Sequence, residues 1–189
     1  MPGMLILAAM PSDRAAALRA ERLDPPFERL KALHTPKRPP RPGDWLAERH
    51  EDVQSLAEFA RSLPLVPTAA RRAIYLQPIG DFSDAQRRVV ALTADYVERF
   101  SAAVHELAHV FGIAHCIAWE CVMNGSNNAA EKDARPLWFC PTDLQKLCLA
   151  TGYDPRTHFE RLAEFAAANG FAAEAAYFER AREIVAGAK

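Results

Sequence analysis

The sequence predicts a mixed α/β (α+β) fold with a helical C-terminal part. Three features carry this prediction: an apolar run at 73–80 bounded by proline and glycine, a helical spacing of apolar residues from 83 to 111, and capped helical segments beyond 140. Short apolar runs are typical of buried strands, whereas a longer periodic stripe is typical of a helix. The chain of 189 residues is long enough for one domain with a sizeable core.

The N-terminal segment, residues 1–72, follows neither the strand nor the helix periodicity. It contains "TPKRPPRPGDW" between 35 and 45, and proline removes backbone donors and favours extended conformations. We therefore expect a Pro-rich arm that runs over the surface. Residues 73–189 form the second predicted unit, and "AIYLQPIG" is its first strand, ended by proline and glycine.

Capping residues mark the predicted helices of this second unit. Ser83 begins a capping-box pattern, "SDAQ", and neither glycine nor proline interrupts the following stripe before Gly112. Residues 117–139 are turn-like. The segment "CPTDLQKLCLATG", 140–152, has proline at the first helical position and glycine at its end, and the chain from 154 onwards predicts a helical hairpin.

Composition limits the partners and the compartment. A net charge of -1 provides no broad basic surface for nucleic acid, and no apolar stretch approaches the length of a membrane span. No basic residue precedes the first apolar run, which ends at Pro11, so we expect no signal peptide and a soluble protein. All four cysteines fall between 116 and 148, a clustering that favours metal binding in a reducing, cytoplasmic compartment.

The segment "HELAHVFGIAHC" predicts a catalytic zinc site. His105 and His109 are four residues apart, so on a helix both imidazoles project from one face. Gly112 permits the turn that returns His115 as a third ligand. Three neutral imidazoles suit Zn²⁺ and leave a fourth position for water. Zinc lowers the pKa of that water and polarises a peptide carbonyl, and Glu106 is placed to take the proton as general base.

The other histidines of the chain lack this pattern. A bare His-Glu-x-x-His arises by chance in a small fraction of proteins, but the added glycine and third histidine make coincidence far rarer. We therefore restrict the metal assignment to the cluster. His34, His50 and His158 are interpreted as ordinary core or surface histidines.

Several segments resemble one known family. The motif H-E-x-x-H-x-x-G-x-x-H is similar to that of the metzincin peptidases, and "CIAWECVM" resembles the C-x-x-x-x-C-x-M form of the archaemetzincins. "PGDWLAE", "IYLQPIGDF" and "NGSNNAAEKDARPLWFCP" are also similar to archaemetzincin segments, so the resemblance covers about 42–150. It implies a metzincin-like catalytic domain at 73–189, with His105, His109 and His115 as zinc ligands, Glu106 as general base and Met123 in the turn beneath the metal.

The resemblance also implies a second zinc, which archaemetzincins bind with four cysteines. Cys116, Cys121 and Cys140 match the first three, whereas Asp143 stands at the fourth position. Zinc accepts a carboxylate, so this set forms a sound but weaker site. Cys148 is the rival ligand, although its place eight residues after Cys140 on a helix puts it about 12 Å along the axis. The simpler alternative is that the cysteines are buried thiols.

Part of the family's sheet is missing from this sequence. Almost no residues separate the first helix, which ends near Phe100, from the zinc helix that begins near His105. The resemblance therefore implies a metzincin-like zincin with a reduced sheet, in which the arm or an oligomeric partner replaces strands, or the cleft stays incomplete. The preferred function is a zinc metallopeptidase acting on a peptide or protein substrate. The alternative is a catalytically inactive zinc-binding structural or interaction protein. The intact Glu106 favours the enzyme, whereas the missing strands favour the alternative.

Overall fold

The computed structural model describes residues 11–51, 53–62, 81, 83–85, 87–88 and 101–187. The α-helices are α1 (Pro11–Ala20), α2 (Pro25–Leu30), α3 (Trp45–Glu48), α4 (Leu56–Arg61), α5 (Ser101–Val110), α6 (Ala129–Asp133), α7 (Pro141–Thr151), α8 (Pro155–Ala168) and α9 (Ala172–Ala186), with a 3₁₀ turn at Lys31–Leu33. Among these described helices, none combines the length and the apolar character that crossing a bilayer requires.

The predicted α/β (α+β) class, a metzincin-like zincin with a reduced sheet, is wrong for the described part of the chain. There the regular elements are helices, and the extended pairing is limited to one isolated antiparallel bridge between Pro36 and Trp119. Helices rather than a sheet supply much of the core, through side chains such as Leu30, Phe59 and Leu144. The predicted strand at 73–80 lies outside the described residues, as does the predicted boundary between the two units.

The zinc-motif helix is observed as α5. Residues 84–85 and 87–88 are helical, and the backbone N–H of Arg87 donates to the carbonyl of Ser83 at 2.9 Å. Residues 89–100 lie outside the description, so the prediction of one continuous helix from 83 stays a prediction. At its other end α5 stops at Val110, and Gly112, with φ of 79°, turns the chain as predicted.

The C-terminal helices agree with their predicted ends. Helix α7 has Pro141 in its first turn and ends at Gly152, whose φ of 71° is left-handed. Helix α8 is capped by the side chain of Asp154, and Gly170, with φ of 78°, separates it from α9. The two pack against each other as the predicted hairpin. Helix α2 crosses both α7 and α9 and so joins the N-terminal part to this scaffold.

The Pro-rich arm lies on the loop between α5 and α7. The carbonyl of Thr35 accepts from the backbone N–H of Glu120 at 2.9 Å, and the N–H of Lys37 donates to Ala118 at 3.1 Å. Residues 39–43 are all exposed. The arm then continues through α3. Residues 45–51 of the arm lie close to the loop that carries the predicted metal ligands.

Candidate metal centres

The three histidines of the motif converge on one point. The Nε2 atom of His105 lies 3.1 Å from the Nε2 atoms of both His109 and His115. For comparison, two nitrogens bound to one tetrahedral zinc at about 2.0–2.1 Å are roughly 3.3 Å apart. The predicted ligand geometry is therefore present: α5 places two rings on one face, and the turn at Gly112 returns the third.

In His105 and His109 the Nε2 atom faces the other histidines, because Nδ1 is hydrogen-bonded to a backbone carbonyl. The carbonyl of Val122 lies 2.9 Å from Nδ1 of His105, and the carbonyl of Ile113 lies 2.7 Å from Nδ1 of His109. A carbonyl only accepts, so each Nδ1 carries the hydrogen and each Nε2 carries a lone pair. Lone pairs facing each other at this distance repel, and a shared cation removes that repulsion. The chemistry of these donors fits a metal such as zinc.

Arg135 also approaches the first histidine. Its NH1 lies 3.2 Å from Nδ1 of His105 and donates to the carbonyl of Asn124 at 2.7 Å. Nδ1 cannot donate to Val122 and accept from Arg135 at once, and the shorter contact is the one to Val122. We therefore infer that the Arg135 guanidinium donates to the carbonyl of Asn124. This hydrogen bond stabilises the loop whose Val122 carbonyl accepts from His105.

Burial keeps His105 neutral. Its side chain is buried, and this desolvation lowers the pKa of His105 to about 4, with the neighbouring histidines and Arg135 acting in the same direction. The hydrogen bond to Val122 opposes the shift. An imidazole must be neutral to bind a metal, so near neutral pH His105 is ready to act as a ligand.

The histidine cluster lies in an open cavity of about 710 Å³. Glu106 lines the same cavity, and it is exposed although the adjacent His105 is buried. Besides Trp45 and Ala129, the rest of the lining is polar or charged and consists of Ser126, Asn127, Asn128, Lys132 and Arg135. This arrangement leaves one side of the histidine cluster accessible, as a centre that binds a reacting molecule requires.

The second predicted set forms a closed cluster. The Sγ atoms of Cys116 and Cys140 are 3.8 Å apart, and Oδ2 of Asp143 lies 3.3 Å from Sγ of Cys140 and 3.5 Å from Sγ of Cys121. All four side chains are buried. Sulfurs that share a tetrahedral zinc at about 2.3 Å are roughly 3.8 Å apart. Ligand atoms at these spacings, shielded from solvent, fit a structural metal.

The structure brings Asp143, not Cys148, into this cluster. Ligand atoms of the three other cysteines and Asp143 lie within 4.8 Å of one another, and Cys148 is absent from that group. Cys148 is further along α7 and only partly buried. The geometry therefore favours the predicted choice of Asp143 over its rival.

The protonation of the thiols is shared within the cluster. Hydrogen bonds from Cys121 and then Cys140 lower the pKa of Cys116, whereas burial raises the pKa of both donors. A metal ligand must be a thiolate, and a bound cation would favour ionisation of all three. Without a cation, burial allows only part of the cluster to carry charge.

Lys146 pairs with the carboxylate of the second cluster. The sequence did not lead us to predict this contact. Its Nζ donates to Oδ1 of Asp143 at 2.9 Å and to the carbonyl of Gln54 at 2.6 Å, and the ion pair is almost fully buried. Burial raises the pKa of Asp143, against the attraction of Lys146. Burial alone would lower the pKa of Lys146, but the charge and hydrogen bond of Asp143 outweigh it and raise the pKa. Asp143 thus uses one oxygen for the lysine and the other for the thiols.

A short loop links the two clusters. Met123 is fully buried, and its N–H donates to Sγ of Cys121 at 3.4 Å, while its carbonyl accepts from the N–H of Cys116 at 2.9 Å. The preceding residue, Val122, holds His105. The predicted role of Met123 in a turn beneath the metal stays a prediction, but its backbone joins two members of the cysteine cluster.

The remaining histidines lie apart from both clusters. His34 is buried, with Nδ1 at 2.9 Å from the carbonyl of Leu30 and Nε2 within hydrogen-bond distance of Phe139 and Tyr177. His158 is buried within α8, and His50 is exposed in the arm. None of them is among the grouped ligand atoms of the described residues, consistent with the interpretation given to them from sequence.

Trp45 forms a wall of the cavity against a glycine. A Cβ built on Gly125 would meet the Trp45 ring at 2.5–2.8 Å, closer than real contacts allow. Gly125→Ala is therefore expected to displace the ring and to lower the free energy of unfolding by about 1–3 kcal/mol, measured by urea denaturation. In a Trp45→Ala background the same change should cost much less, since the clash is removed. An equal cost in both backgrounds would contradict the contact.

Fold and site together define a helical protein with an open three-histidine centre, an adjacent glutamate and a closed cysteine and aspartate cluster. Residues 84–148, which include every predicted ligand of both clusters, match the profile of Peptidase family M54. Over 49 residues the chain is 49% identical to archaemetzincin-2 of Homo sapiens, covering 26% of this chain. Over 45 residues it is 44% identical to archaemetzincin of Pyrococcus furiosus, covering 24% of this chain. The chain is therefore similar to archaemetzincins over residues 84–148 and over the short stretches that it shares with these relatives.

The stretches shared with these relatives are short. The matched part spans 14% of the length of the human relative and 23% of the length of the Pyrococcus furiosus relative. Rattus norvegicus archaemetzincin-2 is similar over a somewhat longer stretch, with 39% identity over 61 residues, which is 17% of that protein. No solved structure matches the chain.

Proposed function

We propose that this protein is a zinc metallopeptidase that hydrolyses peptide bonds with Glu106 as general base. The observation that carries the proposal is the convergence of three Nε2 atoms, two of the distances being 3.1 Å, beside an exposed glutamate in an open cavity. A purely structural metal site has no use for an accessible carboxylate next to its ligands. The match of residues 84–148 to the profile of Peptidase family M54 supports the same proposal.

His105, His109 and His115 would hold the zinc through Nε2. When bound, zinc would supply Lewis acidity that makes water acidic and a peptide carbonyl electrophilic. The hydrogen bonds to Val122 and Ile113 fix the ring orientation of the first two histidines, so their lone pairs need no rearrangement on binding.

Glu106 takes the proton of the attacking water in this proposal. Its carboxylate lines the cavity next to the histidines and is exposed, so it is accessible to both water and substrate. Burial lowers the pKa of the Arg135 guanidinium, and the negative charges of Glu131 and then Glu106 partly oppose that shift. The cavity thus contains one base and neighbouring cations that stabilise negative charge as it develops on a substrate.

The second cluster is proposed to hold a structural zinc. Three buried thiols and Asp143 leave no open position, which is typical of structural rather than catalytic sites. Because its loop supplies the carbonyl that holds His105, metal in this cluster would also stabilise the histidine centre. The grouping of three buried thiols with Asp143 as possible metal ligands supports the proposal that the protein acts in the reducing cytoplasm.

We expect the purified protein to hold close to two zinc ions per chain, one for each cluster. Elemental analysis after purification without chelators measures this. Cys140→Ser and His109→Ala should each lose one ion, whereas Cys148→Ser is the matched control and should keep both. A wild-type content of one ion or none would remove the second site or both.

The peptidase proposal is tested with a broad peptide library and the zinc-loaded protein, with products identified by mass spectrometry. Cleavage that disappears on chelation and returns with zinc is the expected result. A fully loaded protein that cleaves nothing would instead support the inactive zinc-binding alternative, with both metals serving stability. Zinc content is measured on the same sample, so that failure to bind metal and failure to cleave are separated.

A further inference from the structure

The third histidine is anchored differently from the other two. Nδ1 of His115 lies 2.9 Å from Oε1 of Glu51, a residue of the N-terminal arm. His105 and His109 are anchored on backbone carbonyls of Val122 and Ile113, which belong to the metal-binding segment itself. His115 therefore depends on a side chain 64 positions earlier in the chain.

Glu51 is itself held in place by the arm. The indole N–H of Trp45 donates to the same Oε1 atom, and the Trp45 ring stands edge-on to the ring of His115, with centroids 5.4 Å apart. The Glu51 and His115 side chains are largely buried, with 14% and 19% of their surfaces exposed. A carboxylate in this setting accepts two hydrogen bonds and is not free to move away from His115.

The arm around Glu51 is hydrogen-bonded to α6 and to the loop before it. The backbone N–H of Trp45 donates to Glu131 at 3.0 Å, and the side-chain amide of Asn127 donates to Glu48 at 3.2 Å. These contacts join the arm to α6 and the residues before it, which also line the cavity. The position of Glu51 is thus set by both the arm and the cavity wall.

We propose that Glu51 is the positioning residue of the metal centre, and that the N-terminal arm is therefore an integral part of that centre. By accepting from Nδ1, Glu51 keeps the hydrogen of His115 on that atom and its lone pair on Nε2, aimed at the other two histidines. The negative charge of the carboxylate also makes the imidazole a stronger donor to a cation. The proposal rests on the metal centre of the proposed function, not on peptidase activity.

The decisive pair of variants is Glu51→Met and Glu51→Gln. Both keep the approximate shape of the side chain, but only glutamine keeps an oxygen that accepts from Nδ1. Glu51→Met is expected to weaken zinc binding at the histidine centre by about 10- to 100-fold, and Glu51→Gln by much less. Competition with a chelator of known affinity measures both, and the zinc of the cysteine cluster should be retained in each.

Two further variants serve as controls. Glu48→Met removes a carboxylate of the same arm that contacts Asn127 rather than a histidine, and should lower zinc affinity far less than Glu51→Met does. Trp45→Phe removes the other donor to Glu51 but leaves the His115 contact, and should have a small effect. A general weakening of the arm would instead reduce affinity in all of these variants, which would contradict a specific role of Glu51.

The tautomer of His115 gives a readout that a merely structural role would not change. In long-range ¹H–¹⁵N spectra of the protein with only the histidine centre emptied of metal, His115 should show a protonated Nδ1 in wild type and in Glu51→Gln, and a mixture in Glu51→Met. An unchanged tautomer together with wild-type zinc affinity in Glu51→Met would overturn the proposal. Loss of cleavage with normal zinc affinity would count against the peptidase proposal alone.

Discussion

Glu106→Ala is expected to retain zinc and to lose nearly all peptide cleavage. Glu106 lies in the cavity but is not one of the three converging ligands, so its removal leaves the metal centre intact. No other carboxylate lines the described cavity wall to take the proton of water. Loss of a general base lowers the catalytic rate by roughly 100- to 10,000-fold. The measurement is kcat/KM on a peptide that the wild type cleaves, with zinc content determined in parallel.

Glu160→Ala is the matched control, because Glu160 is an exposed glutamate on the C-terminal hairpin. It should keep both zinc and activity, whereas His109→Ala should lose both. Cleavage at the wild-type rate by Glu106→Ala would show that another group acts as the base. Loss of zinc in this variant would show that Glu106 is a ligand, and the role proposed for it would be wrong.

Of the substitutions considered for this protein, Lys146→Met is expected to lower the free energy of unfolding the most. The Lys146 ammonium and the Asp143 carboxylate are 3% and 2% exposed, and Nζ also donates to Gln54. Removing one partner of a buried ion pair leaves the other charge uncompensated, at a cost of about 3–5 kcal/mol. Three thiolates and a carboxylate exceed the charge of a divalent metal, so Lys146 is needed in the metal-loaded protein as well. Urea denaturation of the zinc-loaded protein measures the loss.

The control for this change is Lys132→Met, since Lys132 is exposed and its removal should alter stability by less than about 1 kcal/mol. The double variant Asp143→Asn with Lys146→Met should lose less free energy of unfolding than the two single variants lose together. In the double variant both charges are gone, so no unpaired charge is buried. Strict additivity would contradict a coupled ion pair.

Local sequence features predicted the elements that depend on nearby residues. Pro141 and Gly152 marked the ends of α7, and the spacing of His105 and His109 placed both rings on one face of α5. Helix capping and side-chain spacing act within a few residues, so they can be read directly from sequence. Asp143 was assigned through the family resemblance, because it stands where archaemetzincins have a fourth cysteine, and its carboxylate lies beside the three thiols.

Features that depend on distant residues were missed. Glu51 stands three residues after the segment "PGDWLAE", and nothing local indicates that its carboxylate reaches His115. The α/β class was wrong for the described residues because it was inferred from one short apolar run and from the family, whereas pairing of strands depends on long-range contacts. Lys146 was the one omission with a local signal, since it stands three residues after Asp143 on the same helix.

Zinc K-edge X-ray absorption of the loaded protein tests the central claim most directly, because it reports which atoms surround the metal. The account predicts two environments: nitrogen or oxygen neighbours at about 2.0–2.1 Å from the histidine centre, and sulfur neighbours at about 2.3 Å from the cysteine cluster. His109→Ala should remove most of the first set and leave the second. Zinc surrounded by sulfur alone in the wild type, at full occupancy, would contradict a metal centre at His105, His109 and His115.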